Sequence, residues 1–530
     1  MSAQAYLFRT ANTVAPDVTE VHSINNEYIR IGLTRVILQV DLLEQEAFEA
    51  LRLVRSWKNR LSPINRIPPE VLALIPDSWY LVRGNKDVIA LTHVCQFWRE
   101  IFTSRASLWT KFFCVDKDQT RVYLERSKSS LIGLFPDKAD TLSPHDPLFQ
   151  VIPHAVGRLE YVNIEGAPAN IPEITAHLCH PAPFLTSLVI DGGCEFEPED
   201  NSTLPTELFN GDLSSLSALC LSSIHTELPW RNMVNLTSFM FCHADVPIAK
   251  LLDFFEGAPH LRKIQFHSVF MAPEVQNRPL VSLASLQGLL IFLSGPSSPL
   301  LDYLLIPVGA SLVTRPPFHG SMIDNVLPSS LGNLRNLPGF TKIKLHVSKF
   351  RLEMRFIGPN GRVSVNPMSA PDDCTLLVLE SLARFDTSMT ERLKIFNTNP
   401  STTVSTLQAL LPMENLRSLV LIQCNNPYPF IDALRYKYRS SDVVVCPKLE
   451  ELTLVLRPDE DRDFRIGSVI LMVEIRALAG TKLNCLRIGN WDDLTPIEEW
   501  KLKKHVLHLE VVPGVHPPEE DSDGSDWEDD

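Results

Sequence analysis

The chain has 530 residues, 45% hydrophobic and 21% charged, which is more than one compact core usually organises and too apolar for wholesale disorder. Its formal charge of −14, from 49 basic and 63 acidic residues, leaves no visible basic field of the kind nucleic acid requires. Apolar runs such as Leu289 to Leu293 fall far short of the roughly twenty residues that span a membrane, so no membrane partner is expected.

Ten cysteines are scattered without a C-x-x-C pair, and the first twenty residues lack the apolar core of a secretion signal. Reduced thiols in a cytoplasmic and/or nuclear protein are the expectation.

Residues 1–26 read as an N-terminal arm and 27–61 as an amphipathic helix. A 3-4 alternation runs through Leu33, Val36, Val40, Leu43, Ala47, Ala50, Val54, Trp57 and Leu61. DLLEQEAFEALRLVRSWKNR is rich in helix formers, whereas IRIGLTRVILQV carries β-branched residues and a glycine that weaken helix propensity. Ile37, Leu42, Phe48 and Leu51 widen the stripe. Such a stripe is expected to pack on a globular neighbour in the same chain, with a coiled coil and self-association through 33–61 as the alternative.

The segment 62–115 opens with INRIPPEVLALIPD, passes through DVIALTHVCQFWREIF and closes on SRASLWTKF. Pro68 and Pro69 suit a first helical turn, and Glu70 complements its positive end. Val88, Ile89, Leu91, Val94, Cys95 and Trp98 recur at helical steps. Ile67, Pro68 and Glu70, then Val94, Cys95 and Trp98, then Leu108 and Trp109 follow the order L-P-x-E, V-C-x-x-W, L-W. The segment therefore resembles an F-box, and LSPINRIPPEVL with the following helices is most similar to the F-box-like families of mushroom-forming fungi. Ile67 replaces the usual leucine, and SWYLVRGNK (78–86) is an insertion between the first two anchors. The resemblance implies three helices that dock a Skp-type adaptor, and through it a cullin. Its implied contacts are Ile67, Pro68, Glu70, Val71, Leu72, Ile75, Val94, Leu108 and Trp109, with Cys95 and Trp98 shared between interface and interior.

Residues 116–154 read as a linker. From 155 to 513 one phrase, L-x-x-L-x-L, recurs in eight strict copies: LEYVNI, LTSLVI, LSALCL, LTSFMF, LRKIQF, LRSLVL, LEELTL and LNCLRI. LQGLLI, FTKIKL and CTLLVL are looser versions. IAKLLDFFEGAPH (248–260) and VEIRALAGTK (473–482) read as return helices closed by glycine. FRLEMRFIGPNGRVSV (350–365) reads as a hairpin about a PNG turn. Stacked units of this kind bury their apolar faces only against one another, and they resemble leucine-rich repeats. The asparagine or cysteine expected three residues after the phrase occurs only as Cys424. The expected fold is α/β: an N-terminal helical segment and a three-helix F-box, then an irregular solenoid of short parallel strands and return helices. A mixed α/β domain without a solenoid is the alternative.

In each phrase the residue between the last two apolar positions points away from the core. Asn163, Val189, Cys220, Met240, Gln265, Val420, Thr453 and Arg487 form that row, with one charge among them. A protein client, with Asn163, Val189, Met240, Gln265, Val420, Thr453 and Arg487 as its contacts, fits such a row better than phosphate does.

No P-loop, dinucleotide fingerprint, nucleophile elbow or H-E-x-x-H helix is present, so no catalytic residue, cofactor or metal is assigned. His177, Cys179 and His180 lack a second half for zinc. The acidic segment 514–530 reads as a disordered tail. EEDSDGSDWEDD holds eight acidic side chains, so the rest of the chain carries −14 + 8 = −6; Ser525, with Glu528 three residues on, fits acidophilic kinases, and phosphate there would give Ser522 a similar negative charge three positions downstream. The resemblance implies a non-enzymatic substrate-recognition subunit of a ubiquitin ligase, with a non-ligase interaction scaffold as the alternative.

Overall fold

The computed structural model describes residues 21–75 and 85–512 apart from short internal stretches, the longest at 136–148, 316–325 and 367–378. Most of the expected N-terminal arm and of the SWYLVRGNK insertion, nearly all of the CTLLVL phrase, and the acidic tail lie outside the described residues. The chain divides into two compact units, Met1–Trp109 and Thr110–Asp530.

In the first unit a single helix, α1 (Val21–Leu61), runs for 41 residues, about 60 Å at the usual rise. The β-branched IRIGLTRVILQV stretch joins it without a break. α1 stops where Pro63 removes an N–H donor, and Pro63–Arg66 forms a 3-10 turn. Three helices follow: α2 (Pro69–Leu72), α3 (Asn85–Thr92) and α4 (Gln96–Ser104), then a 3-10 turn at Ala106–Trp109. Pro68 and Pro69 open α2 with a preset φ and no N–H to orphan. Cys95 caps α4 in an extended conformation that breaks the path from α3.

Leu72, Val88, Leu91, Trp98, Phe102, Leu108 and Trp109 form the buried set of this unit. Several of its polar side chains find partners across this core, although Asp87 Oδ2 is buried without one among the described residues. Trp109 Nε1 donates to Phe102 O at 2.8 Å, Trp98 Nε1 to Asn65 Oδ1 at 2.6 Å, and Arg105 Nη1 to Ala73 O at 2.7 Å. The last two tie α4 and its end to the 63–66 turn and to α2. The expectation that the α1 stripe packs within its own chain is corrected: Leu33, Val36, Val40, Leu43, Val54, Trp57 and Leu61 are exposed, and no described residue covers them. The physical reason is length: a seam along a 41-residue helix carries more apolar surface than a trihelical core of about forty residues can cover.

The second unit is built on a sheet of 18 strands among the described residues. In chain order β1 (Lys111–Phe113), β2 (Ile132–Phe135), β3 (Leu159–Glu165), β4 (Ser187–Asp191) and β5 (Ala218–Ser222) each lie parallel to the strand before. β6 (Ser238–Cys242), β7 (Lys263–Ala272), β8 (Gly288–Leu293) and β9 (Ser311–Arg315) continue the same way, with Asp245–Pro247 beside the far end of β7. A meander then enters in reverse. β10 (Lys342–Val347), β11 (Leu352–Gly358) and β12 (Gly361–Val365) place β12 against β9 and leave β10 to pair with β13 (Arg392–Phe396). β14 (Ser418–Ile422), β15 (Glu451–Val455), β16 (Cys485–Gly489) and β17 (His508–Val512) complete the ladder in parallel.

The hairpin expected at 350–365 is therefore present as β11 and β12, and β11 runs against an otherwise parallel sheet. Its turn depends on glycine: Gly361 has φ +132°, and a Cβ there would meet Ala310 O at 2.5 Å. The stretch read as a linker is corrected. It holds α5 (Lys117–Ser127) and β2, so the sheet starts at Lys111 and not at 155. Leu131 and Leu134 repeat the first two apolar positions of the phrase, but Pro136 takes the third.

One device repeats at the strand ends. Ser223, His243, Gln423 and Asn490 adopt a left-handed backbone, φ 47° to 58°, directly after β5, β6, β14 and β16. Each N–H then reaches the neighbouring repeat: Ser223 N to Cys242 O, His243 N to His267 O, Gln423 N to Val455 O, Asn490 N to Val512 O, at 2.7–3.1 Å. These backbone bonds offset the strain and link repeats where an asparagine ladder is missing. Behind the sheet, α6 (Ile248–Gly257) buries Ile248, Leu251, Leu252, Phe254 and Phe255, with the Phe254 ring 4.6 Å from Phe239 of β6. α7 (Tyr428–Leu434) and α8 (Ile466–Leu478) serve the same role further on.

Candidate protein-docking surfaces

In the first unit the expected adaptor contacts separate into two sets. Leu72, Trp98, Leu108 and Trp109 are buried, Leu108 and Trp109 to 1% exposure. They build the interior and have no surface to offer, so the place of Leu72, Leu108 and Trp109 among direct contacts is corrected, and of the two roles expected of Trp98 the interior one is seen. Their size and their bonding to Asn65 and Phe102 explain this. Pro68, Glu70, Val71 and Val94 are exposed, while Ile67, Ile75 and Cys95 are half-buried. Val71 and Leu74, one helical step apart, are 51% and 56% exposed, and Val94 at the α3–α4 junction is 55% exposed. Ile64 and Leu74, which the motif comparison did not single out, belong with this exposed apolar group.

In the second unit the strand register places the expected client residues in one row. Asn163 pairs with Val189, Val189 with Cys220, Cys220 with Met240 and Met240 with Gln265. The row continues through Leu290, Val313, Ser364, Arg355, Lys344 and Lys394 to Val420, Thr453, Arg487 and Glu510. Every one of the expected residues is half-buried except Arg487, which is exposed and ion-paired with Glu510 at 2.6 Å.

The expectation of a nearly uncharged row is corrected in its middle. Arg355, Lys344 and Lys394 stand side by side on β11, β10 and β13, and Lys342 and Arg392 lie two residues earlier on the same face. A cavity of about 470 Å³ opens there. Lys342, Lys344, Arg392 and Lys394 line one side, and Val420, Ile422, Thr453, Val455 and Val512 the other. Arg355 is engaged by Glu353, and Lys394 Nζ sits 4.7 Å from the centre of the Phe396 ring. Among the described residues no ion pair engages Lys342, Lys344 or Arg392. Cations gathered beside largely apolar walls form a positive trough, in which charge recognition is stronger than on open surface.

Burial pushes the Cys220 thiol up to about 11, with Asp191 adding to the effect, and the Cys446 thiol up to about 12. Neither is a ready nucleophile. His177 stacks on Phe149 at 5.4 Å and Cys179 Sγ donates to Thr175 O at 3.9 Å. Among the described residues no group of three or more His, Cys, Asp and Glu is placed to hold a metal ion, and no helix is long and apolar enough to cross a membrane. Comparison of the chain with protein-family models and with curated proteins finds no match in either.

Proposed function

We propose that this chain is a non-catalytic substrate receptor. Its trihelical segment acts as an F-box that docks a Skp-type adaptor, and its leucine-rich-repeat-like ladder holds a protein client near the ligase's transfer machinery. The observation that carries this is the apolar group of Ile64, Val71, Leu74 and Val94 left exposed on a core of Leu72, Trp98 and Trp109. A unit this small rarely leaves such side chains in water unless a partner covers them. The catalytic effect is one of concentration, because a rigid scaffold raises the local concentration of client lysines at the conjugating enzyme.

Val71→Glu/Val94→Glu places two carboxylates on the proposed interface without touching the buried set. Adaptor capture in a pull-down is expected to fall at least about tenfold with the thermal midpoint unchanged, since a buried unpaired charge costs several kcal/mol. Undiminished capture would remove the ligase reading and leave the interaction scaffold.

The client that fits the trough is an acidic, extended segment with an apolar anchor, which can set carboxylates on Lys342, Lys344, Arg392 and Lys394 and its anchor against Val420, Ile422 and Val455. Lys344→Glu/Lys394→Glu is expected to weaken client binding about tenfold or more while adaptor binding stays, and the loss should shrink in high salt. Clients retained at full affinity would place their site elsewhere on the sheet.

A further inference from the structure

The helix α1 presents a second interface, and its sequence names the partner. From Leu43 to Leu61 every seam position is exposed: Leu43, Val54, Trp57 and Leu61 by 61–71%, with Ala47 and Ala50 beside them. Leu51 and Leu53 flank the seam at 52% and 60% exposure. An apolar strip of this length along an exposed helix face calls for a matching strip.

The strip matches itself when reversed. Residue pairs whose numbers add to 104 set Leu43 opposite Leu61, the small Ala47 opposite the large Trp57, and Ala50 opposite Val54. Large side chains thus meet small ones, as close packing demands. The flanking charges obey the same reversal. Glu44 and Lys58 both lie just after a seam residue, and Glu46 and Arg60 both just before one. In an antiparallel pair, like flanks of the two helices face each other, so Glu44 meets Lys58 and Glu46 meets Arg60 of the second copy. All four side chains are exposed and available.

The parallel alternative satisfies none of this. It would stack Trp57 on Trp57 and leave Ala47 and Ala50 facing their own equivalents across a gap. Its flanking contacts would pair Glu46 with Leu51 and Leu53 with Lys58.

We propose that residues 43–61 of α1 form an antiparallel coiled coil with a second copy of this chain, centred near Arg52. The pairing does not depend on the ligase reading. A dimer could serve a scaffold equally well, and adaptor capture tests that reading separately.

Light scattering on the full chain measures it. Wild type is expected at twice the 59.7 kDa chain mass. Glu44→Lys/Glu46→Lys and Lys58→Glu/Arg60→Glu each place like charges opposite one another, so each alone is expected as a monomer. Mixed in equal amounts, the two variants restore every opposite-charge pair and are expected to return to the dimer mass. Leu51→Cys, near the centre and on facing flanks only in the antiparallel arrangement, is expected to form a disulfide with its own equivalent. A monomeric wild type overturns the proposal. So does a dimer indifferent to both charge reversals, which would be parallel or formed elsewhere, or a mixture that stays monomeric.

Discussion

Trp109→Ala is expected to destabilise the trihelical unit by about 3–5 kcal/mol, the usual range for removing a fully buried aromatic side chain. The indole is 1% exposed and its Nε1 donates to Phe102 O at 2.8 Å, so truncation leaves both a cavity and an orphaned carbonyl. Phe102 also stacks edge-on with Trp98 at 5.6 Å, and Trp98 holds Asn65, so the loss propagates to the turn that launches α2. For a small unit whose whole stability is of the same order, this means substantial unfolding at physiological temperature. Urea denaturation followed by circular dichroism measures it, and a change under about 1 kcal/mol would show that the unit is held by something other than this core. Trp109→Phe keeps most of the packing, loses the hydrogen bond and is expected to cost about 1–2 kcal/mol. The practical consequence concerns the adaptor: loss of capture in Trp109→Ala would report unfolding, whereas loss in Val71→Glu/Val94→Glu reports the interface itself.

The division between interior and rim was only half readable in the sequence. Helical spacing marks Val94 and Trp98 alike as apolar, and the motif order marks Val71 and Leu72 alike. Only the fold separates them, because Leu72 turns inward while Val71 stays 51% exposed. The ladder was readable where the phrase is intact, and all eight strict copies are strands. Strands escaped notice where the leading leucine is replaced, by Gly309 before β9 and by Thr390 before β13. Thr390 is buried in the leucine's place. That substitution also hid Lys394, and with it the fact that β13 and β10 bring four cations together. The reversed meander lies beyond any periodicity, since the pairing of β12 with β9 joins segments separated by the whole of β10 and β11. Helix α1 shows the opposite case. Its seam was plain in the sequence, but its exposure was not, because a 3-4 pattern is the same whether the neighbour is the chain itself or another copy.

The two surfaces also differ in what sets their affinity. The apolar group near α2 and α3 offers area and shape with no charge, so the proposed adaptor contact is expected to be insensitive to salt. The trough between β10 and β16 gathers cations, so its client is expected to associate faster at low ionic strength. On the proposed reading, such a receptor would keep a stable hold on one partner and exchange the other.

Arg476 of α8 holds the chain that leads into β15, a strand that lines the trough, and Arg476→Met is expected to cost about 3 kcal/mol or more. The guanidinium is fully buried, and burial lowers its pKa to about 10, so it remains charged at neutral pH, and among the described residues no carboxylate pairs with it. Carbonyls offset that charge. Nη1 donates to Val445 O at 2.8 Å and to Leu434 O at 3.3 Å, and Nη2 to Cys446 O at 2.7 Å. Leu434 ends α7, where a carbonyl has no helical partner, and 445–446 is the approach to β15. Methionine fills a similar volume but donates nothing; Cys446 O keeps the N–H of Leu449 at 3.1 Å, but a buried carbonyl such as Val445 O left without a donor costs about 1–3 kcal/mol. Arg476→Lys keeps the charge but reaches with one ammonium where a planar fork met separate carbonyls, so an intermediate loss is expected. Urea midpoints rank the three proteins, and a methionine variant as stable as wild type would mean that the carbonyls find other donors. Because β15 supplies Thr453 and Val455 to the trough, the same variant is expected to weaken client binding more than adaptor binding. Its effect should be uniform across salt concentrations, which distinguishes a displaced wall from a lost charge.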